Sequence, residues 1–519
     1  MRWSTWRCRL SLVVLGALGA LALPPFHMIL FLFPALTGLI WLLTRTTLLR
    51  EAFGVGWWFG LGHGIAGYYW LTNAFMVDAS AHGFLAPIAV GLLSSTLAIF
   101  TGLPAAGAWW LCRWRKSKSI SYILVFAALW GVGEWSRSWF LTGFPWNLIA
   151  TSWTFSSDIL QSAAAIGPYG LGMLTIVVAG MPAMFFIGES RRIAGVCLFL
   201  GLFLFILVWT AGNSRLKSAS SDFIDGVGLR LVQPNIPQHL KWRQDLRIDH
   251  VKKQMRMSMA PIKNILPTHI IWPETAIPFN LSNDASLRRL IANVVPLGGL
   301  LITGAPRSDI FGGSVLHAYN SVHALDDRGL ITASYDKQHL VPFGEYVPFR
   351  WLLGFSKLTT GRIDFHQGRK PRLIDLAGLP LVSILICYEV IFPAEVGNMA
   401  KRPGWILNLT NDAWFGVSAG PHQHLASVQM RAVEQGLPVV RVANTGISAV
   451  IDPYGRILSS LALGADGHLD SQLPVPLATP PFYGKFGDWL TLFCVMILAG
   501  TVWLPSEAGT TNREETRRP

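Results

Sequence analysis

Eight apolar runs constrain this chain more than any other feature. Seven of them, over 10–23, 26–43, 53–77, 83–111, 120–132, 159–187 and 193–211, precede residue 212, and the eighth covers 486–504. A helix needs about 20 residues, within a usual range of about 17–25, to cross the hydrocarbon of a bilayer. The first and fifth runs are short by that standard and count as spans only by extension into flanking tryptophan or polar residues. Only 14% of the 519 residues are charged, against about 25% in an ordinary soluble domain. A wholly soluble protein is therefore excluded. The 51% hydrophobic content and five cysteines also exclude disorder and a disulfide-built scaffold.

The basic residues fall on alternate sides of these runs. Starting inside, the inside segments hold Arg2, Arg7 and Arg9, then Arg45 and Arg50, then Arg113, Arg115, Lys116 and Lys118, then Arg191 and Arg192, and finally Arg513, Arg517 and Arg518. The short outside loops hold only Arg137. This is the positive-inside pattern, and adding or removing one helix would destroy it. The net charge of +13 thus comes largely from topology signals and the tail, which leaves little for nucleic acid to explain. The start of the chain also imitates a secretory signal, but Pro24 and Pro25 lead directly into the second apolar run, as in a membrane hairpin.

Four regions follow. A membrane domain of seven helices occupies 1–211, an outside domain 212–485, an eighth helix 486–505 and a polar tail 506–519. In the outside domain short β-rich runs alternate with turn signals. The expected strands are 229–233, 269–272, 299–303, 321–325, 381–386, 405–409, 439–442 and 447–451. Helices are expected over 242–259, 284–294 and 421–435, the last carrying Arg431 and Glu434 one turn apart. The mixture indicates a layered α/β domain rather than a repeat array.

Cys387 is the one cysteine of that domain, so it has no intradomain disulfide partner. It follows the apolar run 381–386 in ICYEVIFP. As a lone buried cysteine it would more often be a small packing residue than a nucleophile. Two further strand ends alter that balance: Glu274 in HIIWPETAIP and Lys337 in TASYDKQHLVPFGEYVPF. A thiol nucleophile needs a base for its proton and a positive charge that favours the thiolate. Glutamate supplies the first. Lysine supplies the second and can stabilise an oxyanion.

The order Glu274, Lys337, Cys387, with those flanking strings, resembles the nitrilase, or carbon–nitrogen hydrolase, superfamily. With the membrane half included, the resemblance narrows to the apolipoprotein N-acyltransferase family, carried by LVQPNIPQHLKW, WPETAIP, DKQHLVPFGEYVPF, ICYE and NLTNDAWFG. It implies a four-layer αββα sandwich with a Glu–Lys–Cys triad, beside a polytopic membrane domain of eight transmembrane helices in all. It also implies that Glu345 is a second carboxylate near the triad, that Tyr388 and Glu389 line the site, and that Trp242 sits over its entrance.

The implied reaction is ping-pong acyl transfer. The acyl donor is a membrane phospholipid, the acceptor a diacylglyceryl-apolipoprotein, and the intermediate a thioester on Cys387. No cofactor or metal is required, and His422 with His424 makes no familiar ligand pattern. The implied location is the bacterial inner membrane, with the catalytic domain periplasmic and both termini cytoplasmic. A membrane-tethered amidase using water as acceptor is the alternative, and a transporter with a merely ligand-binding outer domain is a more distant one. The aromatic segment 134–147 would line a lipid portal or form an interfacial belt. Within the spans, Glu134 is expected to pair with Arg137, and His63 has no evident partner.

Overall fold

A computed structural model of the chain describes residues 6–220, 222–262, 264–311, 314–348, 364–369, 372–397 and 401–503. The polar tail 506–519, and with it Arg513, Arg517 and Arg518, lies outside the described residues, as does Arg2. The chain divides into two compact units. The described residues of one fall within Met1–Tyr69, Ile88–Asn213 and Phe486–Pro519, those of the other within Trp70–Pro87 and Ser214–Lys485.

The first unit is helical. Four helices touching it, Gly83–Trp114, Ser119–Arg137, Ala163–Phe185 and Arg191–Lys217, are long and apolar enough to cross a membrane. Arg191–Lys217 leaves Phe199, Leu200 and Phe203 more than half exposed, as a lipid-facing helix does. Other apolar segments are shorter. Ile29–Thr44 and Trp489–Trp503 fall below that length, and Trp6–Ala20 has 15 residues, which at about 1.5 Å each gives roughly 22 Å. The long helix Ala163–Phe185 is kinked within its first turns. Gly167 leaves helical geometry before Pro168, because a proline disfavours the α conformation in the residue preceding it.

Glycines also allow close helix contact. A Cβ on Gly16 would strike the Phe59 backbone, and one on Gly62 the Val13 backbone, so Trp6–Ala20 and Leu49–Tyr68 meet through small residues. The third apolar run does not remain one helix. Leu49–Tyr68 ends, a 3-10 turn covers Tyr69–Leu71 and a short helix covers Thr72–Met76; Trp70–Pro87 belongs to the second unit before the chain returns to the first at Ile88.

Among the described residues the second unit contains twelve strands: β1 Phe223–Gln233, β2 His269–Ile271, β3 Leu300–Phe311, β4 Ser314–Leu325, β5 Ile331–Asp336, β6 Leu373–Ile374, β7 Val382–Ile386, β8 Trp405–Thr410, β9 Val439–Ala443, β10 Ser448–Ile451, β11 Ile457–Leu461 and β12 Gly467–Pro474. They form two six-stranded sheets, ordered β12-β1-β2-β3-β4-β5 and β11-β10-β9-β8-β7-β6. In each, the central strands run parallel (β1, β2, β3 and β7, β8, β9). Alternation along the strands decides which face meets which neighbour. Leu229, Leu231, Ile271 and Ile302 of the first sheet share one buried cluster with Ile384, Ile386, Leu407 and Val440 of the second. The opposite face of the first sheet, through Ile270 and Leu301, packs on Val251, Met255, Leu287 and Ile291.

Those last four lie on the helices Arg247–Ser258 and Ala285–Ala292. Ala419–Gln435, nearly all buried, covers the second sheet through contacts such as His424 with Arg441. The order is helix, sheet, sheet, helix. Several boundaries differ from expectation: β1 begins at Phe223, β3 runs on to Phe311 and β4 begins at Ser314, and the helix expected from residue 242 begins at Arg247, because Trp242 ends a separate short helix, Gln238–Lys241. Arg431 and Glu434 form the intrahelical pair suggested by their spacing, at 2.6 Å.

Candidate active site

Three strand ends converge. Glu274 follows β2 by three residues, Lys337 directly follows β5, and Cys387 directly follows β7. Gly304 of β3 allows the first of these to close in, since a Cβ there would come within 2.7 Å of the Glu274 Cα. Cys387 opens the 3-10 turn Cys387–Ile391 with φ at +52°. That left-handed conformation is uncommon outside glycine and turns the chain sharply at the strand end.

Lys337 is 1% exposed and its Nζ lies 2.9 Å from Glu345 Oε2 and 3.8 Å from Glu274 Oε1. Asn320 spans the two carboxylates. Its Nδ2 donates to Glu274 Oε1 at 2.7 Å and to Glu345 Oε1 at 2.9 Å, while its carbonyl accepts the Lys337 N–H at 2.8 Å. The Cys387 thiol lies within the electrostatic influence of both Glu274 and Lys337.

The environment shifts each group. Burial, then the Glu274 charge, pushes the Cys387 thiol up to about 12 despite Lys337. Glu274 is raised by burial, which outweighs the attraction of Lys337. Burial disfavours the Lys337 ammonium, but Glu345 and Glu274 more than reverse this and raise its pKa. At neutral pH the thiol is therefore protonated, with the Glu274 carboxyl group and the Lys337 ammonium in its surroundings. Thiolate formation requires transfer of its proton to a base.

The supporting residues serve different ends. Glu345 also accepts the Val341 N–H at 2.8 Å, which fixes the loop carrying it. Glu389 is fully buried. Its Oε1 accepts hydrogen bonds from the Tyr335 hydroxyl and from the Gln338 and His339 N–H groups, and its Oε2 accepts the Ile386 N–H at 2.7 Å. It thereby ties the segment after Lys337 to the turn that presents Cys387. The Tyr388 ring is buried against Phe392 and His339, with centroids 5.1 and 5.6 Å away. Trp242, half-buried, caps Gln238–Lys241 and accepts a hydrogen bond from Arg247 on its carbonyl.

Several site residues were missed by the sequence reading. Lys241, 2% exposed, donates from Nζ to the Glu274 carbonyl oxygen at 3.0 Å. Behind Cys387 lies a fully buried group. His424 places Nδ1 2.9 Å from Asp412 Oδ1 and Nε2 3.2 Å from the Cys387 carbonyl oxygen. Arg441 donates to Asp412 Oδ2 and Asn408 Oδ1, both at 2.5 Å. Both His424 ring nitrogens are thus engaged in holding the turn. Lys241 and Asp412 lie in the quoted strings LVQPNIPQHLKW and NLTNDAWFG. Asn320, midway along β4, carries no sequence signal.

The same loop is gripped from the segment Trp70–Pro87. Trp70 donates to Gln423 at 2.8 Å and packs its ring 4.5 Å from that of Phe415, and Asn73 donates to the Phe415 carbonyl at 2.8 Å. In the first unit, the expected Glu134–Arg137 pair is replaced by other contacts. Glu134 accepts the Ile149 N–H, while Arg137 donates to the Tyr68 hydroxyl and the Trp146 carbonyl. Glu134 Oε2 and Arg137 Nε are buried without a hydrogen-bond partner among the described residues. His63 lines a cavity of about 30 Å³ with Tyr68, Trp130, Glu134, Arg137 and Asn147. Segment 134–147 divides: Trp139, Phe140 and Leu141 are exposed, whereas Trp146 is buried and stacked on Phe144.

The profile described as Carbon-nitrogen hydrolase matches residues 231–479, which places the double-sheet unit in that class of domain. The profile described as Apolipoprotein N-acyltransferase N-terminal domain matches residues 15–181. The chain is 40% identical over 503 residues to the Apolipoprotein N-acyltransferase of Rhodopseudomonas palustris, covering 93% of this chain and 92% of that protein. It is 42% identical over 479 residues to that of Allorhizobium ampelinum, covering 89% of each. A solved amidase from Nesterenkonia sp. is similar at 22% identity and a TM-score of 0.32, over 49% of this chain and 94% of that one. The chain belongs to the apolipoprotein N-acyltransferase family.

Asn320 offers a direct check on the geometry. Replacing it by alanine should slow acyl-enzyme formation roughly 10–100-fold, because a hydrogen bond to a charged group contributes about 1.5–3 kcal/mol. The burst of lysophospholipid measures this, with thermal unfolding run alongside to separate lost orientation from lost folding.

Proposed function

We propose that this protein transfers a fatty acyl chain from a membrane phospholipid to the α-amine of an N-terminal diacylglyceryl-cysteine, completing the maturation of a bacterial lipoprotein. The observation that carries the reading is the buried carboxylate–ammonium–carboxylate cluster of Glu274, Lys337 and Glu345 acting on the thiol of Cys387. The family of the chain supports the choice of substrates.

Glu274 takes the proton from Cys387 as sulfur attacks the ester carbonyl. Lys337 stabilises the resulting oxyanion. When the intermediate collapses, Glu274 returns the proton to the departing lysophospholipid, leaving a thioester. The acceptor amine then attacks that thioester and gives a proton to Glu274, which passes it to the leaving thiolate. One ester and one amine become one amide and one alcohol. No nucleotide or metal enters the balance. Glu345 and Asn320 hold Lys337 and Glu274 in register, Glu389 braces the turn, and Tyr388 and Trp242 flank the approach.

The proposed setting is the inner membrane, with eight crossings, cytoplasmic termini and a periplasmic catalytic domain. The one-sided distribution of basic residues supports that orientation. Both substrates are held in the bilayer by their chains, at about 0.8 kcal/mol per buried CH₂, so they reach the site laterally. Met76 and Phe84 are exposed on the segment that grips the Phe415 loop, in keeping with lipid nearby.

Purified enzyme should convert phospholipid and a diacylated lipopeptide into lysophospholipid and a triacylated product. Ammonia release from simple amides without lipopeptide acylation would select the tethered amidase instead.

A further inference from the structure

We propose that Lys241 is a positioning residue of the reaction site, the second cation that keeps the buried cluster neutral while the proton moves from Cys387 to Glu274. The inference rests on the acyl-transfer reading and adds a residue to it.

Glu274, Glu345, Lys337 and Cys387 are all at least nine-tenths buried. Two carboxylates against one ammonium would leave this group with an uncompensated negative charge, and an unpaired buried charge costs several kcal/mol. Lys241 is as buried as they are, and its Nζ is anchored on the carbonyl of Glu274 itself. Its charge acts on both Glu274 and Cys387, the two ends of the proton transfer.

With Lys241 protonated, the resting cluster holds two ammonium groups, two carboxylates and a neutral thiol. After the transfer it holds two ammonium groups, the Glu345 carboxylate, a thiolate and a neutral Glu274. Both states have zero net charge. Without the Lys241 charge both carry an excess negative charge. Glu274 would then hold a proton at neutral pH and could not receive the one from sulfur.

The groups facing Lys241 are Glu274, Cys387 and, from the helix Arg247–Ser258, His250. His250 is held below the usual imidazole range by burial and by Lys241, so it adds no charge at neutral pH. Burial lowers Lys241 itself to about 8 against the pull of Glu274 and Cys387, so it remains protonated under neutral conditions.

A plain tether between Gln238–Lys241 and Glu274 would need only a hydrogen-bond donor, and that difference makes the proposal testable. The measurement is the rate of Cys387 alkylation by iodoacetamide as a function of pH, in the full-length detergent-solubilised protein, resolved by peptide mass from the other cysteines. Lys241→Gln keeps a donor and loses the charge. It should react about tenfold slower at neutral pH, with the midpoint of its profile about one unit higher, since tenfold corresponds to one unit. Lys241→Arg keeps the charge and should stay within about threefold of wild type, with reactivity retained to higher pH because arginine does not titrate there.

A Lys241→Gln profile that overlays wild type, or a Lys241→Arg variant as slow as Lys241→Gln, would overturn the proposal. If Lys241→Gln does not fold, the Lys241→Arg profile decides alone. Alkylation needs no lipid, so failure of the acyl-transfer reading would appear separately, as absent lipopeptide acylation with these rates unchanged.

Discussion

Replacing Cys387 by alanine will leave a folded protein whose lipopeptide acylation is lower by about 10⁴-fold or more. Removal of a catalytic nucleophile costs that much because no other group takes its place. The change deletes one buried sulfur and keeps the Cβ, so the expected loss of stability is only about 1 kcal/mol. The Cys387 backbone is held independently of the thiol, by His424 on its carbonyl and by Glu389 on the preceding N–H. The site should therefore still bind phospholipid. Rate and unfolding temperature, measured on one preparation, check both halves of the expectation. Acylation that persists in the variant would move the nucleophile elsewhere.

Replacing Lys337 by methionine will cost both activity and stability. Loss of an oxyanion-stabilising group lowers turnover about 10²–10³-fold. Removing one partner of a buried ion pair also destabilises by about 3–5 kcal/mol. Here the penalty is concentrated, because Glu274 and Glu345 share the Asn320 amide and would keep only the Val341 N–H on Glu345 and the Lys241 charge near Glu274 as further support. Like charges so placed force one carboxylate to hold its proton. Its pKa in the folded state then lies above that in the unfolded chain, so the folded protein binds the extra proton. Stability is complete below the unfolded value and falls as pH rises through the raised one. Denaturant unfolding of Lys337→Met across the acidic-to-neutral range should show that decline. The acid limb of its rate profile should also move to higher pH.

Much of this was legible in the chain itself, for identifiable reasons. Strands such as Trp405–Thr410 and Val439–Ala443 are buried on both faces and read as largely apolar runs, broken by Asn408 and Arg441. β11 and β12 escaped notice because their exposed and half-buried positions dilute the pattern. Glu274, Lys337 and Cys387 were readable because each follows a strand within a distinctive string. Asn320 was not, since an asparagine inside a strand acquires meaning only when its amide is seen between two carboxylates. The same limit applies to the membrane unit. Glu134 and Arg137 are one turn apart in sequence, yet the chain returns at Trp146 and Ile149 to hydrogen-bond each of them separately. Apolar runs located the helices, but the turn that ends Leu49–Tyr68 lies inside a run that remains apolar through Met76.

The most direct measurement is the mass of the Cys387 peptide after the enzyme is incubated with phospholipid alone, and again after a chase with diacylated lipopeptide. The thioester mechanism requires a gain of one fatty acyl chain on that peptide, stoichiometric with released lysophospholipid, and its disappearance into the lipopeptide during the chase. An unmodified Cys387 peptide under conditions where lipopeptide is being acylated, or an acyl chain carried on any other residue, would contradict it.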